Sequence, residues 1–383
     1  MSTQTFNVAH LISDRAKHIE ASGIRAIWEL AQKCTDPIDL SIGQPDFPVS
    51  DEIKIAAIDA IKSDQNGYSK TVGIEPLVER ITTYCTDAFG WDCSHAGSES
   101  VMVTSGTAGA LTLACLALLN TGDELIIPDP YFLIYPTLAT VAGAKPVSCL
   151  TYPTFKMTVE SIEACITPKT KAVILNSPSN PTGVVYTEEE VKAIVECCES
   201  HNILLITDEI YDEFVFSPAT FASPASYSKN VLLIRGFGKT YGCTGWRLGY
   251  AAGPKAIIAE MLKLQQQTYV CAPTPLQHAV VQSFDVDLTS LVEQFAKRRD
   301  MVVDHLSPVT ELAMPEGAFY AFPKVPEHLG LDATQFVHSC IEDNLLLIQG
   351  SIFSSRDTHV RLSFATPDDK LERGLQKLAS LMK

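Results

Sequence analysis

Between residues 100 and 255, short continuous apolar runs alternate with stretches whose apolar residues recur at helical spacing. Val101–Thr104, Glu124–Ile127, Pro146–Leu150, Ala172–Leu175, Leu204–Thr207 and Val231–Arg235 read as strands. Ala108–Asn120 reads as a helix rich in small residues, and Thr187–Ser200 as a helix opened by the capping box Thr187…Glu190. Continuous apolar strands separated by helices predict a mostly parallel sheet of the seven-stranded type, covered by helices on both faces. After Pro275 the texture changes. Long helical patterns at Leu276–Phe284 and Leu288–Leu306 lead to strand candidates Ala318–Pro323 and His359–Phe364. A last helix starts at Thr366–Pro367, with Thr366 as N-cap and proline at the first helical position. The expectation is an α/β protein with a large domain at 46–275 and a smaller α+β domain at 276–383. Residues 1–45, with an amphipathic helix around Ile24–Lys33, form a segment expected to pack with the small domain and the active site.

A length of 383 residues agrees with two domains, and no repeat or low-complexity segment modifies that. The 29 basic against 45 acidic residues give a net charge of −16. Such a surface repels phosphate backbones and anionic headgroups, which argues against nucleic acid or membrane as partners. The 11 cysteines include no CxxC pair, and the adjacent Cys197–Cys198 suit neither an ordinary disulfide nor a zinc knuckle, so no metal is expected. Without a secretory leader pattern or an apolar run of membrane-spanning length, a reduced cytoplasmic setting is the natural expectation.

Ligands of open α/β sheets collect outside the carboxyl ends of the strands. Five such ends carry polar or glycine-rich residues: Ser105–Gly106–Thr107–Ala108, Asp129–Pro130–Tyr131–Phe132, Asn176 through Asn180 to Gly183, Asp208–Glu209–Ile210–Tyr211, and Gly236–Phe237–Gly238–Lys239. Gly238–Lys239–Thr240 imitates the end of a nucleotide-binding P-loop. That motif needs a glycine at position 233, which is leucine. Lys239 is then either a solvated charge or, amid Gly236, Phe237, Tyr241 and Gly242, a desolvated nucleophile of the Schiff-base type. Asp208 is either a turn cap or a carboxylate that holds a protonated ring nitrogen.

Asn180–Pro181–Thr182–Gly183, Asp208–Glu209–Ile210–Tyr211, Lys239 followed by Gly245–Trp246–Arg247–Leu248–Gly249, and Arg361 occur in this order and spacing. With Ser22–Gly23–Ile24–Arg25 and Ile42 through Phe47, they make the chain resemble class I/II pyridoxal-phosphate aminotransferases of fold type I, on the aspartate and aromatic branch. The resemblance implies a transaminase working between an L-amino acid and a 2-oxo acid, with 2-oxoglutarate the expected acceptor, by a ping-pong route through a Lys239 aldimine. It implies pyridoxal 5'-phosphate with Lys239 as nucleophile and proton carrier, and Asp208 on the pyridinium nitrogen. Tyr211 and Asn180 would donate to the phenolate oxygen, and Asn180–Pro181 would be cis. The phosphate would sit on Gly106, Thr107 and Ala108 at a helix start, with Arg247 beside it. Phe132 would stack on the ring and line the substrate site. Arg361 would clamp the substrate carboxylate with Gly43 and Asn180 nearby. Tyr68 would reach the phosphate of a neighbouring subunit, so a homodimer with a shared site is implied. Two departures stand out: Gly236 replaces a phosphate-binding serine of some relatives, and Ala108 a lysine that reads a distal carboxylate. Alternatives on the same cofactor are a C–S β-lyase and a non-catalytic pyridoxal-phosphate-binding regulator.

Overall fold

The computed structural model describes residues 8–17, 19, 23 and 35–383, so the expected helix at Ile24–Lys33 lies outside the described residues. Strand β1 spans Ile38–Asp39, and seven further strands build the main sheet. These are β2 (Glu99–Thr104), β3 (Glu124–Asp129), β4 (Lys145–Leu150), β5 (Thr170–Asn176), β6 (Leu204–Asp208), β7 (Val231–Gly236) and β8 (Gly249–Pro254). Their order is β2-β8-β7-β6-β5-β3-β4, with β8 alone antiparallel to its neighbours.

Alternation along each strand divides the core in two. Val101, Val103, Val173, Leu175, Leu205 and Leu233 face Leu77, Ile81, Val191 and Ile194 of the helices Glu75–Phe89 and Glu188–Ser200. Met102, Ile127, Ile174, Ile206 and Ile234 face Leu111 and Ala114 of Gly106–Leu118 and Met261 of Lys255–Thr268. Both faces are buried, which is why the strands read as unbroken apolar runs. The capping box is present: Glu190 N–H donates to Thr187 at 3.3 Å, and Thr187 N–H to Glu190 at 2.7 Å.

Strand β8 escapes a pattern reading because Gly249, Ala251, Ala252 and Gly253 carry little apolar surface. Its glycine has a packing reason: a Cβ at Gly249 would lie 2.8 Å from the Gly106 carbonyl carbon and 2.9 Å from the Thr107 nitrogen. The backbone of β8 thus runs directly behind the start of the helix Gly106–Leu118.

A separate core gathers Phe214, Phe216, Phe295, Phe319, Phe336 and Leu375 around short strands. These are β9 (Tyr320–Ala321), β10 (Leu345–Leu346), β11 (Ile348–Gln349) and β12 (Val360–Ser363). β11, β12 and β9 form an antiparallel sheet, and β1 pairs with β10 in parallel. Leu40 joins this core. The strand expected over Ala318–Pro323 shrinks to two residues because Ala318 takes a left-handed φ of 55°. The helix expected over Leu276–Phe284 runs from Thr274 to Val280 and tightens into a 3₁₀ turn, Val281–Asp285; Ala279 packs on Ile53 and Ala57. The last helix begins at Asp368, one residue later than expected, with Pro367 rather than Thr366 at the cap. Asp368 there accepts from Arg298 Nε at 2.7 Å.

Candidate active site

Asp208 ends β6, level with Asn176 at the end of β5. Its side chain is 2% exposed and accepts from the Tyr135 hydroxyl at 2.8 Å and the Ile210 amide at 3.4 Å. Burial pushes its pKa up to about 6 even though both hydrogen bonds pull the other way. No cation pairs with it among the described residues. The next residue points to the opposite face. Glu209 pairs with Arg235 at 2.8 Å and accepts from Ser223 at 2.7 Å, while Arg235 also meets Asp212 at 2.8 Å. This buried ion cluster pins the turn 208–212 from behind. Asn176 fastens it to the neighbouring strand end: Asn176 Nδ2 donates to the Asp208 carbonyl at 2.9 Å, and Asn176 Oδ1 accepts from Asn180 N–H at 2.9 Å. The Asn180–Pro181 bond is cis.

Lys239 lies on the one-turn helix Phe237–Thr240, behind Gly236. A Cβ at Gly236 would fall 2.7 Å from Ile210 Cδ1 and 2.9 Å from Thr107 Cγ2, so the local packing leaves little room for a side chain there. The Lys239 ammonium donates to the Gly43 carbonyl and stands 5.9 Å from the centre of the Phe319 ring.

Arg361 on β12 is 2% exposed. Its Nη1 donates to Asn180 Oδ1 at 3.1 Å and its Nη2 to the Ser41 carbonyl at 2.7 Å, while Nε is buried with no partner among the described residues. The guanidinium lies 4.7 Å from the centres of both the Tyr320 and Phe353 rings. Burial lowers its pKa, and no carboxylate pairs with it among the described residues. A buried cation with an unused N–H is built to receive an anion. Tyr211 is also buried. Its hydroxyl is 3.0 Å from that of Tyr320, and burial above all raises its pKa well beyond the ordinary tyrosine range.

At the start of the helix Gly106–Leu118, Gly106 takes a φ of 71°. A Cβ there would lie 2.8 Å from Arg247 Nη2, so the guanidinium sits against the first helical amides. Arg247 itself is exposed, with a φ of 57°, and Nη1 donates to the Thr244 carbonyl at 3.0 Å. Thr107 and Ala108 occupy the first turn, partly buried. Backbone donors and a cation converge where an anion fits. Phe132 meets Tyr135 edge to face with centroids 5.7 Å apart.

The structure therefore brings Lys239, Gly43, Asn180, Tyr211 and Arg361 into one linked set, with Asp208 beneath it and Gly106 and Arg247 together beside β8. Tyr68 joins none of these contacts; it is 86% exposed. Sequence reasoning missed Tyr135 and Tyr320, whose apolar surroundings mark them as ordinary core. It also singled out Asp129 as a strand-end candidate. Asp129 instead accepts from Ser354 Oγ at 2.5 Å and Ser355 N–H at 3.0 Å, which ties the sheet to the second core. A buried carboxylate without a cation, a buried guanidinium without an anion and an anion cradle together fit a flat, basic-nitrogen ring that carries a phosphate.

A family model described as aminotransferase class I and II matches residues 35–378. The chain is 36% identical to a probable N-acetyl-LL-diaminopimelate aminotransferase of Bacillus subtilis, over 96% of this chain and 95% of that one. It is 34% identical to a probable aspartate aminotransferase of Methanocaldococcus jannaschii, over 95% and 98%. A solved aspartate aminotransferase from Rhizobium meliloti superposes with a TM-score of 0.90 at 31% identity, covering 97% and 98%.

The buried Asp208 makes a prediction about stability. A carboxyl whose folded pKa is raised from its unfolded value of about 3.9 stabilises fully below that value, and the contribution is lost as pH rises through about 6. In the ligand-free protein, Asp208→Asn should therefore gain on the wild type by up to about 3 kcal/mol between pH 4 and pH 7.5. Urea unfolding at the two pH values measures the difference. An unchanged gap between the two proteins would sink the assignment of an uncompensated carboxylate.

Proposed function

Because the chain belongs to the class I and II aminotransferase family, we propose that it moves an amino group between an L-amino acid and a 2-oxo acid, with Lys239 as nucleophile and proton carrier. The observation that carries this reading is the pair of buried, oppositely charged groups, Asp208 and Arg361, that lack counter-ions among the described residues. When bound, pyridoxal phosphate supplies the electron sink that makes loss of the substrate's α-proton feasible.

The chain's own residues supply the rest. Asp208 would hold a proton on the ring nitrogen, and the ring's positive charge would in turn offset the burial of the carboxylate. Arg361 receives the substrate's α-carboxylate as a fork, using its free Nε, close to Gly43. Asn180 would serve two partners: Oδ1 orients Arg361, and the amide nitrogen, together with Tyr211, would donate to the ring's phenolic oxygen. Gly106, Thr107, Ala108 and Arg247 would hold the phosphate, and Phe132 would stack on the ring. Lys239 would carry a proton to and from the substrate's α-carbon. With glycine at 236, the phosphate forgoes one hydroxyl donor.

On this reading the chain divides into a large domain and a small one. The packing of Ala279 on Ile53 and Ala57 supports moving the boundary from 275 to just after Asp285. Tyr68 is then a phosphate contact in a partner subunit's site; its 86% exposure leaves the side chain free to reach a neighbour. A cytoplasmic setting belongs to the same reading. It is supported by the ten described cysteines, all unpaired, and no helix among the described residues is long and apolar enough to cross a membrane.

Three outcomes are expected. Lys239→Ala should abolish both the bound cofactor's visible absorbance change on adding amino acids and transamination, while circular dichroism stays unchanged; near wild-type turnover would exclude Lys239. Tyr68→Phe should weaken cofactor retention in equilibrium dialysis without loosening carboxylate binding, and a fully active monomer by light scattering would refute the shared site. The third concerns donors. Ala108 offers no charge to a distal carboxylate, and burying such a group unpaired is costly. Aspartate should then hold no large advantage over phenylalanine, tyrosine, methionine or alanine with 2-oxoglutarate as acceptor, since apolar pockets discriminate by only about 1–3 kcal/mol per methylene. A kcat/KM for aspartate more than about a thousandfold above the others, or roughly 4 kcal/mol, contradicts that.

A further inference from the structure

One buried side chain at the centre of the site stands outside the set of groups that meet cofactor or substrate. Tyr320, on β9, touches four of the site's components. Its hydroxyl is 3.0 Å from the Tyr211 hydroxyl and donates to the Gly43 carbonyl at 3.4 Å. Its ring lies 4.7 Å from the Arg361 guanidinium carbon. Its carbonyl oxygen would be 2.5 Å from a Cβ at Gly183, so its backbone is pressed onto the turn that follows Asn180. The loop 41–44 rests on it as well: a Cβ at Gly43 would collide with the Tyr320 hydroxyl.

Proton counting decides how these contacts are oriented. Each tyrosine hydroxyl has one proton to give, and a carbonyl can only accept. With the Tyr320 proton on Gly43, the 3.0 Å contact must carry the Tyr211 proton, so Tyr211 points away from any ring oxygen. If Tyr211 is to donate to a bound ring, the two hydroxyl oxygens are left facing each other unless Tyr320 turns its proton toward Tyr211. That turn needs only rotation of one O–H bond, away from a hydrogen bond that at 3.4 Å is already long.

We propose that Tyr320 is the positioning residue that aims the Tyr211 hydroxyl, accepting its proton in the ligand-free protein and donating to it when the ring is bound. The inference rests on the aminotransferase reading and names a residue that acts on the cofactor only through another. Donation from Tyr320 polarises Tyr211 and strengthens the bond that Tyr211 makes in turn. The charged groups facing the pair are Asp208 from β6, Lys239 from the helix Phe237–Thr240 and Arg361 from β12, none of which Tyr320→Phe removes. The same ring supports the carboxylate clamp, so one side chain aligns the cofactor and substrate halves of the site.

The test compares the wild type with Tyr320→Phe and Tyr320→Leu, each as holoenzyme. The first readout is the pH midpoint of the bound cofactor's visible absorbance. The second is the Kd of 3-phenylpropionate, a carboxylate with no amino group to transfer. Donation to the phenolate oxygen favours the cofactor form that has lost its proton, so weaker donation raises the midpoint. Tyr320→Phe should raise it by about half to one pH unit and leave the Kd within about twofold, because the ring under Arg361 remains. Tyr320→Leu should raise the midpoint and also weaken 3-phenylpropionate about tenfold. A Tyr320→Phe midpoint within about 0.2 pH units of a normally titrating wild type overturns the inference alone. A wild type whose visible absorbance does not respond to pH or to amino acids overturns the aminotransferase reading and this inference with it.

Discussion

Among the described residues, Asp208 is buried with two hydrogen bonds and no cation, and Arg361 is buried with two hydrogen bonds and no anion. Each charge stays out of water at a cost of several kcal/mol that nothing in the described chain offsets by direct pairing. Neutral groups hold each charge without neutralising it: the Tyr135 hydroxyl and the Ile210 amide hold Asp208, and Asn180 Oδ1 and the Ser41 carbonyl hold Arg361. The cost is carried by the scaffold, whose sheet is buried on both faces and whose second core closes over it.

The turn after β6 shows how the fold separates structural from chemical charge. Asp208 and Glu209 are neighbours in sequence, yet strand alternation sends them to opposite faces. Glu209 meets a guanidinium, a serine and a threonine, and Arg235 is wrapped in addition by Tyr84, Phe89 and Phe221. Burial opposes the Arg235 charge, but Asp212 and Glu209 outweigh it and hold the guanidinium firmly charged. That cluster is satisfied and serves as an anchor. Asp208 is left with the Tyr135 hydroxyl and the Ile210 amide, donors that keep its orientation without removing its need for a positive partner.

Much of this is legible in the chain itself. Unbroken apolar runs announce a sheet covered on both sides, and the residues just past them include Asp208, Asn180, Gly106 and Lys239, because strand ends in such folds are where polar side chains can gather. The Thr187…Glu190 box sets a helix start to the residue. Local chemistry of that kind is encoded within a few positions, so a linear reading reaches it. The readings that slip are of two kinds. Strand β8 is made of small residues whose reason is a backbone approach to Gly106, across a sequence gap of more than a hundred residues. The strand at Ala318 stops short because a single residue turns left-handed, which no apolar pattern signals.

Residue order alone is enough to set the class of fold, the motif residues and the charge types available to a site. Which of those charges are paired is settled only once the chain is folded. Asp208 and Glu209 are both acids in the sequence, as Arg235 and Arg361 are both guanidiniums; burial and partners make one of each a paired anchor and leave the other without a counter-ion among the described residues. Tyr135 and Tyr320 show the same limit from the neutral side. Each reads as a core aromatic until the fold carries its hydroxyl across 73 or 109 positions to a polar partner. Pairing depends on distance and solvent exclusion in three dimensions, and neither is a property of residue order.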